Sequence, residues 1–104
     1  MRWVQELSAS DDLITYDVVT STVSAEMAAN KIPAVDILKI DVEGYFMEVL
    51  RGIAEADFER IRNIVVEIDY SAEAGVTPLD VEKMLTAKGY QTDREEDTFY
   101  AWRR

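Results

Sequence analysis

The chain has 104 residues, of which 48% are hydrophobic and 31% are charged, a composition typical of one globular domain. A folded chain of this length buries roughly two-thirds of its unfolded surface, which is enough for one modest core. The 21 acidic and 11 basic residues give a net charge of -10, which argues against binding to nucleic acids or anionic membranes. Histidine and cysteine are both absent from the sequence, which excludes disulfides, thiolate metal sites and catalysis by either side chain.

The organisation of the chain is simple. We expect a single domain over residues 1–104, because no repeat, low-complexity tract or linker divides the sequence. The apolar runs are too short for a membrane span or for the core of a secretory signal. We therefore expect a cytoplasmic protein.

The first predicted elements are a strand over Leu13–Val19 and a short helix with Ser24 as its N-cap that extends to Asn30. This helix must end before Ile32-Pro33, because a residue that precedes proline is pushed out of the helical region. Val35–Val42 is the clearest strand and is apolar on both faces. Such a pattern is typical of a buried strand in a parallel sheet covered by helices.

Gly44 marks a strand-to-helix turn, and the sequence then predicts two helical pieces, the second over Ala54–Arg60. The first piece has one apolar face, formed by Phe46, Val49, Leu50 and Ile53. A second buried strand is predicted over Asn63–Asp69, and a loop over Ser71–Val76. The next helix begins with Thr77 as N-cap and has Pro78 at its first position, Asp80 in a capping box and Gly89 at its end.

The C-terminal strands are predicted over Tyr90–Thr92 and Thr98–Trp102. The acidic segment Asp93–Asp97 is too short for a helical crossover, so these strands form an antiparallel hairpin. Strands and helices alternate before it. The sequence therefore predicts an α/β fold with a mostly parallel sheet and a C-terminal antiparallel hairpin.

Acidic side chains follow both predicted buried strands. Asp41 and Glu43 lie at the carboxyl end of the first strand, and Glu67 and Asp69 at the end of the second. Ligands of open α/β sheets bind at these ends, and Gly44 allows a close turn of the backbone there. If the strands are neighbours, the four carboxylates form an acidic rim suited to a cation, a sulfonium or an amine. The alternative is that they cap helices and favour solubility.

Other patterns carry less chemistry. The carboxylates do not form a calcium-binding loop, and the four glycines do not form a phosphate-binding loop, so we predict no metal site. Lys39 lies inside an apolar strand, where we expect a structural role, either paired with Asp36 or Asp41 or extended past the sheet edge.

Four segments resemble the C-terminal half of the FkbM-type methyltransferases: D-I-L-K-I-D-V-E-G (Asp36–Gly44), M-E-V-L-R-G (Met47–Gly52), I-V-V-E (Ile64–Glu67) and K-G-Y (Lys88–Tyr90). The resemblance implies part of a Rossmann-like methyltransferase sheet. It implies S-adenosylmethionine as methyl donor and O-methyl transfer to the hydroxyl of a small molecule or biosynthetic intermediate, free or tethered to a carrier.

On this resemblance, the catalytic candidates are Asp41 and Glu43, and the candidates on the substrate side are Gly44, Glu67 and Asp69. No residue is assigned to the cofactor, because the chain has no counterpart of the family's glycine-rich loop. We therefore expect a truncated segment that is inactive alone.

Two alternatives remain at this point. The first is a non-catalytic methyltransferase-like module that acts as a scaffold or dimerisation element, and the second is an unrelated acidic binding domain.

In the family's sheet, the strand Val35–Val42 pairs with a strand that has no counterpart here, so this strand is predicted to be an edge. Exposed edges recruit partners, and we expect a second copy, another domain or the segment Met1–Val19 to cover it.

Overall fold

The computed structural model describes residues 2–9, 12–42, 44–69 and 75–103. Its elements, in chain order, are β1 (Arg2–Ala9), β2 (Asp12–Val19), α1 (Val23–Ala29), β3 (Val35–Ile40), α2 (Phe46–Arg51), α3 (Glu55–Phe58), β4 (Ile61–Glu67), α4 (Pro78–Ala87), β5 (Gln91–Glu95) and β6 (Thr98–Trp102). None of the helices in this described part is long and apolar enough to cross a membrane.

The central sheet has four strands in the order β3-β4-β6-β5. β3 and β4 are parallel, while β4 and β5 each pair antiparallel with β6. The prediction of a mostly parallel sheet was therefore wrong. The helix α4 connects β4 to β5, and these two strands have the same direction, but the C-terminal hairpin inserts β6 between them in the opposite direction.

The C-terminal hairpin itself was predicted correctly, but its turn is shorter than expected. β5 continues to Glu95, and the turn consists of Glu96 and Asp97 instead of the whole segment 93–97. Glu96 adopts a left-handed conformation with φ 54°. The acidic residues before it can therefore remain in the strand.

The N-terminal hairpin was predicted only in part. The expected strand over Leu13–Val19 is present as β2, and it pairs antiparallel with β1, which the sequence analysis did not predict. The register joins Arg2 to Val19 and Ala9 to Asp12. These two strands form their own sheet, so the N-terminal segment is not a strand neighbour of β3.

The core lies on one face of the four-stranded sheet. Alternate residues of neighbouring strands share a face, and on this face Ile64 pairs with Ala101 and Val66 with Phe99. All four are buried, and α2 and α4 contribute further buried side chains to the same cluster. The helix contributions are Phe46, Leu50, Val81 and Leu85. The predicted apolar face of this helical piece is thus confirmed, because Phe46, Leu50 and Ile53 are buried and Val49 packs against the core.

The other face of the sheet is only partly covered. Ile37 of β3 is 66% exposed and Tyr100 of β6 is 40% exposed, while Val65 of β4 between them is half-buried. The expectation that the Val35–Val42 strand is buried on both faces was therefore wrong. β3 lies at a sheet edge, as expected.

Helix boundaries follow their capping groups. The capping box of α4 is confirmed, because the Thr77 hydroxyl accepts from the Asp80 amide at 3.2 Å and the Asp80 carboxylate accepts from the Thr77 amide at 2.9 Å. α1 begins differently from the prediction. Its N-cap is Thr22, whose hydroxyl accepts from the Ala25 amide at 3.0 Å, and Ser24 lies inside the helix.

Candidate functional site

The carboxyl ends of β3 and β4 lie side by side. The last register pair joins Ile40 to Val66, so Asp41 directly follows β3 where Glu67 ends β4. The condition for an acidic rim, that these two strands are neighbours, is therefore met. Acidic groups from two distant parts of the sequence therefore reach the same edge of the sheet, where open α/β sheets bind their ligands.

The candidate residues at this edge differ in their surroundings. Asp41, Glu67 and Asp69 are exposed, and Glu43 lies outside the described residues. Within the described ranges, no three acidic residues come close enough together to hold a metal ion. The exposed carboxylates are thus placed to meet a ligand that arrives from solvent.

Gly44 forms the predicted strand-to-helix turn. Its φ of 91° lies in the left-handed region, which side chains with a Cβ rarely adopt. The turn leads through Tyr45 into α2, and Phe46 points into the core with 1% exposure. Phe46 is therefore a packing residue.

Neither predicted ion pair of Lys39 is found among the described residues. It is exposed on the edge strand, and the part of the chain that the structure describes contains no ion pair between Lys39 and Asp36 or Asp41. Its exposure at a free edge fits the common use of lysine on edge strands, where a charge opposes uncontrolled pairing.

Beside the acidic edge the structure has a groove that the sequence analysis missed. The groove has a volume of about 570 Å³ and is lined by three segments of the chain. The first segment contributes Thr20–Val23 and Ala25, the second contributes Val42 and Tyr45, and the third contributes Glu48, Val49 and Gly52. Val42 directly follows Asp41 in the chain, so the groove lies next to the candidate catalytic residue. Its volume lies within the range of small-molecule sites.

A hydrogen-bond network fixes the walls of this groove. The Ser24 amide donates to the Gly52 carbonyl at 3.2 Å, and the Ala54 amide donates to the Ser24 hydroxyl oxygen at 2.7 Å. A Cβ on Gly52 would lie 3.0 Å from the Thr22 Cβ, so glycine lets the end of α2 approach α1 closely. The relative positions of α1 and α2 are therefore set by contacts across the groove.

Asp57 extends the network on the side away from the groove. Its carboxylate is hydrogen-bonded to Ser24 and forms an ion pair with Arg60. The hydrogen bond from Ser24, and then the contacts with Arg60, hold the pKa of Asp57 below its ordinary value despite the opposing effect of burial. Asp57 is thus ionised at neutral pH and anchors α1 to the α3–β4 corner.

These features define a mixed α/β domain with a groove next to acidic strand ends. The chain belongs to the FkbM methyltransferase family, because its residues 2–92 match the family described as Methyltransferase FkbM domain. It is similar to the 31-O-demethyl-FK506 methyltransferase FkbM of Streptomyces tacrolimicus, with 35% identity over 102 residues, covering 97% of this chain and 36% of the relative.

Two further relatives match shorter stretches. Methyltransferase sdnD of Sordaria araneosa is 41% identical over 61 residues, covering 59% of this chain and 22% of the relative. The hexuronic acid methyltransferase AglP of Haloferax volcanii is 35% identical over 74 residues, covering 66% of this chain and 29% of the relative. The chain thus spans between 22% and 36% of the length of these three relatives. No solved structure gives a significant match.

The described residues do not fit the whole of the cofactor that this family implies. S-adenosylmethionine carries a sulfonium, an ammonium and a carboxylate, and buried charges need partners of the opposite sign. The groove has Glu48 as its one charged lining residue within the described ranges, so it offers no cation to the carboxylate. These residues alone therefore do not make a complete site for the methyl donor.

Proposed function

We propose that this chain forms the acceptor side of an FkbM-type O-methyltransferase that uses S-adenosylmethionine, within a Rossmann-like sheet and in the cytoplasm. The observation that carries the proposal is the neighbouring position of Asp41 and Glu67 at the carboxyl ends of two parallel strands, in a chain that belongs to this family. The groove that Val42 lines supports it, because an acceptor needs a surface on which to lie.

The proposed chemistry requires little from the protein beyond alignment and proton removal. In the proposal, Asp41 accepts a hydrogen bond from the acceptor hydroxyl and takes its proton, and Glu43 assists as the second carboxylate. Gly44 lets the backbone turn close to the acceptor, while Glu67 and Asp69 contact it from the neighbouring strand. With the cofactor site incomplete, the chain alone is not expected to turn over.

The acceptor is proposed to be the hydroxyl of a small molecule or biosynthetic intermediate, free or bound to a carrier. The names of two relatives support this class. One refers to 31-O-demethyl-FK506 and the other to hexuronic acid, and both describe methyl transfer to compounds that are not nucleic acids.

The experiment is a titration of the isotopically labelled chain with S-adenosylmethionine up to millimolar concentration, followed by its two-dimensional amide NMR spectrum. We expect weak binding with shifted amides near Asp41 and Gly44, since the methyl group must approach this edge. Asp41→Asn should reduce these shifts, whereas Asp36→Asn is the matched control, because Asp36 is an exposed carboxylate of β3, the strand that Asp41 follows. Absence of shifts at this edge, or equal effects of both variants, would contradict the proposal.

A second candidate function is a scaffold that associates through β3. The specific observation is that β3 is an edge strand and that its Ile37 is 66% exposed. A strand edge of this kind pairs readily with another strand. In this proposal, a second copy or another domain docks on β3.

Analytical ultracentrifugation tests the scaffold proposal. We expect a dimer that Ile37→Lys dissociates, while Val19→Lys, at a position that is 80% exposed on the other sheet, leaves the dimer intact. Amides of β3 should exchange slowly with solvent in the dimer. A monomer at all concentrations, with freely exchanging β3 amides, would rule out self-association.

A further inference from the structure

The groove beside Asp41 has a distinct chemistry along its length. Its lining includes the aliphatic side chains of Val23, Val42 and Val49 and the side chain of Tyr45. Hydroxyl groups come from the segment 20–22, directly before α1, and from Tyr45. The lining therefore offers mainly apolar contact with a few hydrogen-bonding groups.

The charge of the groove has one sign. Glu48 is its one charged lining residue within the described ranges. Arg51 lies 3.7 Å from the Glu48 carboxylate, but both side chains are largely exposed, so this ion pair does not place a positive charge inside the groove. The whole chain adds a net charge of -10. An anionic ligand would thus meet repulsion and no partner.

We infer that the groove binds the uncharged, apolar skeleton of the acceptor and selects against anionic acceptors such as uronic acids. This inference rests on the proposed function, since it assumes that Asp41 acts on an acceptor. Val42 lines the groove and directly follows Asp41 in the chain, so a skeleton bound in the groove lies beside the candidate catalytic residue. Apolar contact supplies the affinity, and the hydroxyls of segment 20–22 orient the ligand.

Two fluorescent probes with the same aromatic skeleton test the inference. N-phenylnaphthylamine is neutral, whereas anilinonaphthalene sulfonate adds one negative charge. We expect saturable one-to-one binding of the neutral probe and about tenfold weaker binding of the anionic probe at low ionic strength, from Coulomb repulsion at groove distances. Amide shifts of residues 42–52 should accompany binding of the neutral probe.

Three variants locate the site. Glu48→Lys, at an exposed position, should bring the affinity for the anionic probe to within about threefold of that for the neutral one, because it reverses the sign of the rim charge. Val49→Asp should reduce binding of the neutral probe. Ile37→Asp is the matched control on the exposed sheet face, and it should leave that binding unchanged.

The outcomes separate this inference from the proposed function. Equal affinities for the two probes, or loss of binding in Ile37→Asp but not in Val49→Asp, would overturn the inference. If the neutral probe binds as expected while S-adenosylmethionine leaves the amides near Asp41 unchanged, the groove stands and the methyltransferase proposal fails. If the cofactor shifts those amides and the neutral probe does not bind, the methyltransferase proposal stands and the inference about the groove fails.

Discussion

Tyr90 connects three elements at the end of the sheet opposite the candidate site. It is 3% exposed, and its hydroxyl oxygen lies 2.6 Å from the Ile61 carbonyl oxygen and 2.9 Å from that of Phe58. Since these carbonyls belong to the start of β4 and the end of α3, the hydroxyl ties the entry of the C-terminal hairpin to both. Tyr90→Phe removes this link and keeps the ring.

The expected cost follows from these contacts. The ring contacts with Phe58, at 6.5 Å between centroids, and with the Arg103 guanidinium, at 4.4 Å, remain in the variant. The lost terms are one net hydrogen bond, worth about 1 kcal/mol, and the burial of an acceptor left without its donor, which costs about 1 kcal/mol more. We therefore expect a loss of about 2 kcal/mol in the free energy of unfolding, or about 10 °C in Tm.

The assay is urea denaturation followed by far-UV circular dichroism at neutral pH. Tyr100→Phe is the matched control, because Tyr100 is 40% exposed and its hydroxyl has no hydrogen bond within the described ranges. It should change the free energy of unfolding by less than about 0.5 kcal/mol. Equal losses in the two variants would refute the reasoning.

The pH dependence provides an independent check. Burial raises the pKa of Tyr90 above its ordinary value of 10.0, and the opposing effect of Arg103 is smaller. The folded state then holds this proton more tightly than the unfolded state, so its contribution to stability is present below pH 10 and is lost as the pH rises through the folded pKa. Stability of the unmodified chain should fall in this alkaline range, and Tyr90→Phe should lack that part of the decline.

Two further predictions concern the groove network and the end of α4. Because the pKa of Asp57 is lowered, its contribution to stability is present above pH 3.8 and is lost as the pH falls through the folded pKa, so Asp57→Asn should flatten acid unfolding in urea titrations. Ser24→Ala should shift that transition to higher pH, and an unchanged profile would argue against the network. Gly89→Ala places a Cβ 2.6 Å from Arg103 Nη2 at φ 94°, whereas Gly75, at φ 81°, has open space around it. Both variants should lose about 1 to 2 kcal/mol from strain, and calorimetry should show a larger loss for Gly89→Ala.

Local signals in the sequence predicted the local features well. The Thr77 and Asp80 capping box and the left-handed turn at Gly44 depend on neighbouring residues only, and both are present. The same is true of the buried residues on α2, whose spacing of three and four residues is visible in the sequence. These features form wherever the chain has the right residues in the right order.

Strand direction and pairing were predicted less well, because they depend on residues far apart in the chain. The sequence favours a parallel sheet, since strands and helices alternate up to α4, but the hairpin β5–β6 then determines two of the three strand pairs. β1 was missed because its sequence, R-W-V-Q-E-L-S-A, does not alternate regularly between polar and apolar residues. β1 forms a strand by pairing with β2, and that pairing is not visible in the sequence of β1 itself.

The candidate site likewise has one part that the local sequence predicts and one part that it does not. The acidic strand ends could be predicted, because they directly follow two recognisable strands. The groove could not, since its walls come from three segments that are joined by the contacts of Ser24 with Gly52 and Ala54, about thirty residues away. Contacts between residues so far apart in the chain leave no local pattern in the sequence.

The enzyme and scaffold proposals both depend on β3, yet they use different parts of it. Pairing with a partner needs the backbone edge around Ile37, whereas the candidate site lies past the strand's carboxyl end at Asp41, about 13 Å further along an extended chain. An occupied edge therefore leaves the groove and the acidic rim accessible. It follows that Ile37→Lys should abolish association without changing binding of the neutral probe, and Asp41→Asn should weaken the cofactor response without changing association. If each variant impaired both properties, the edge and the site would be one surface, and the two functions would exclude each other.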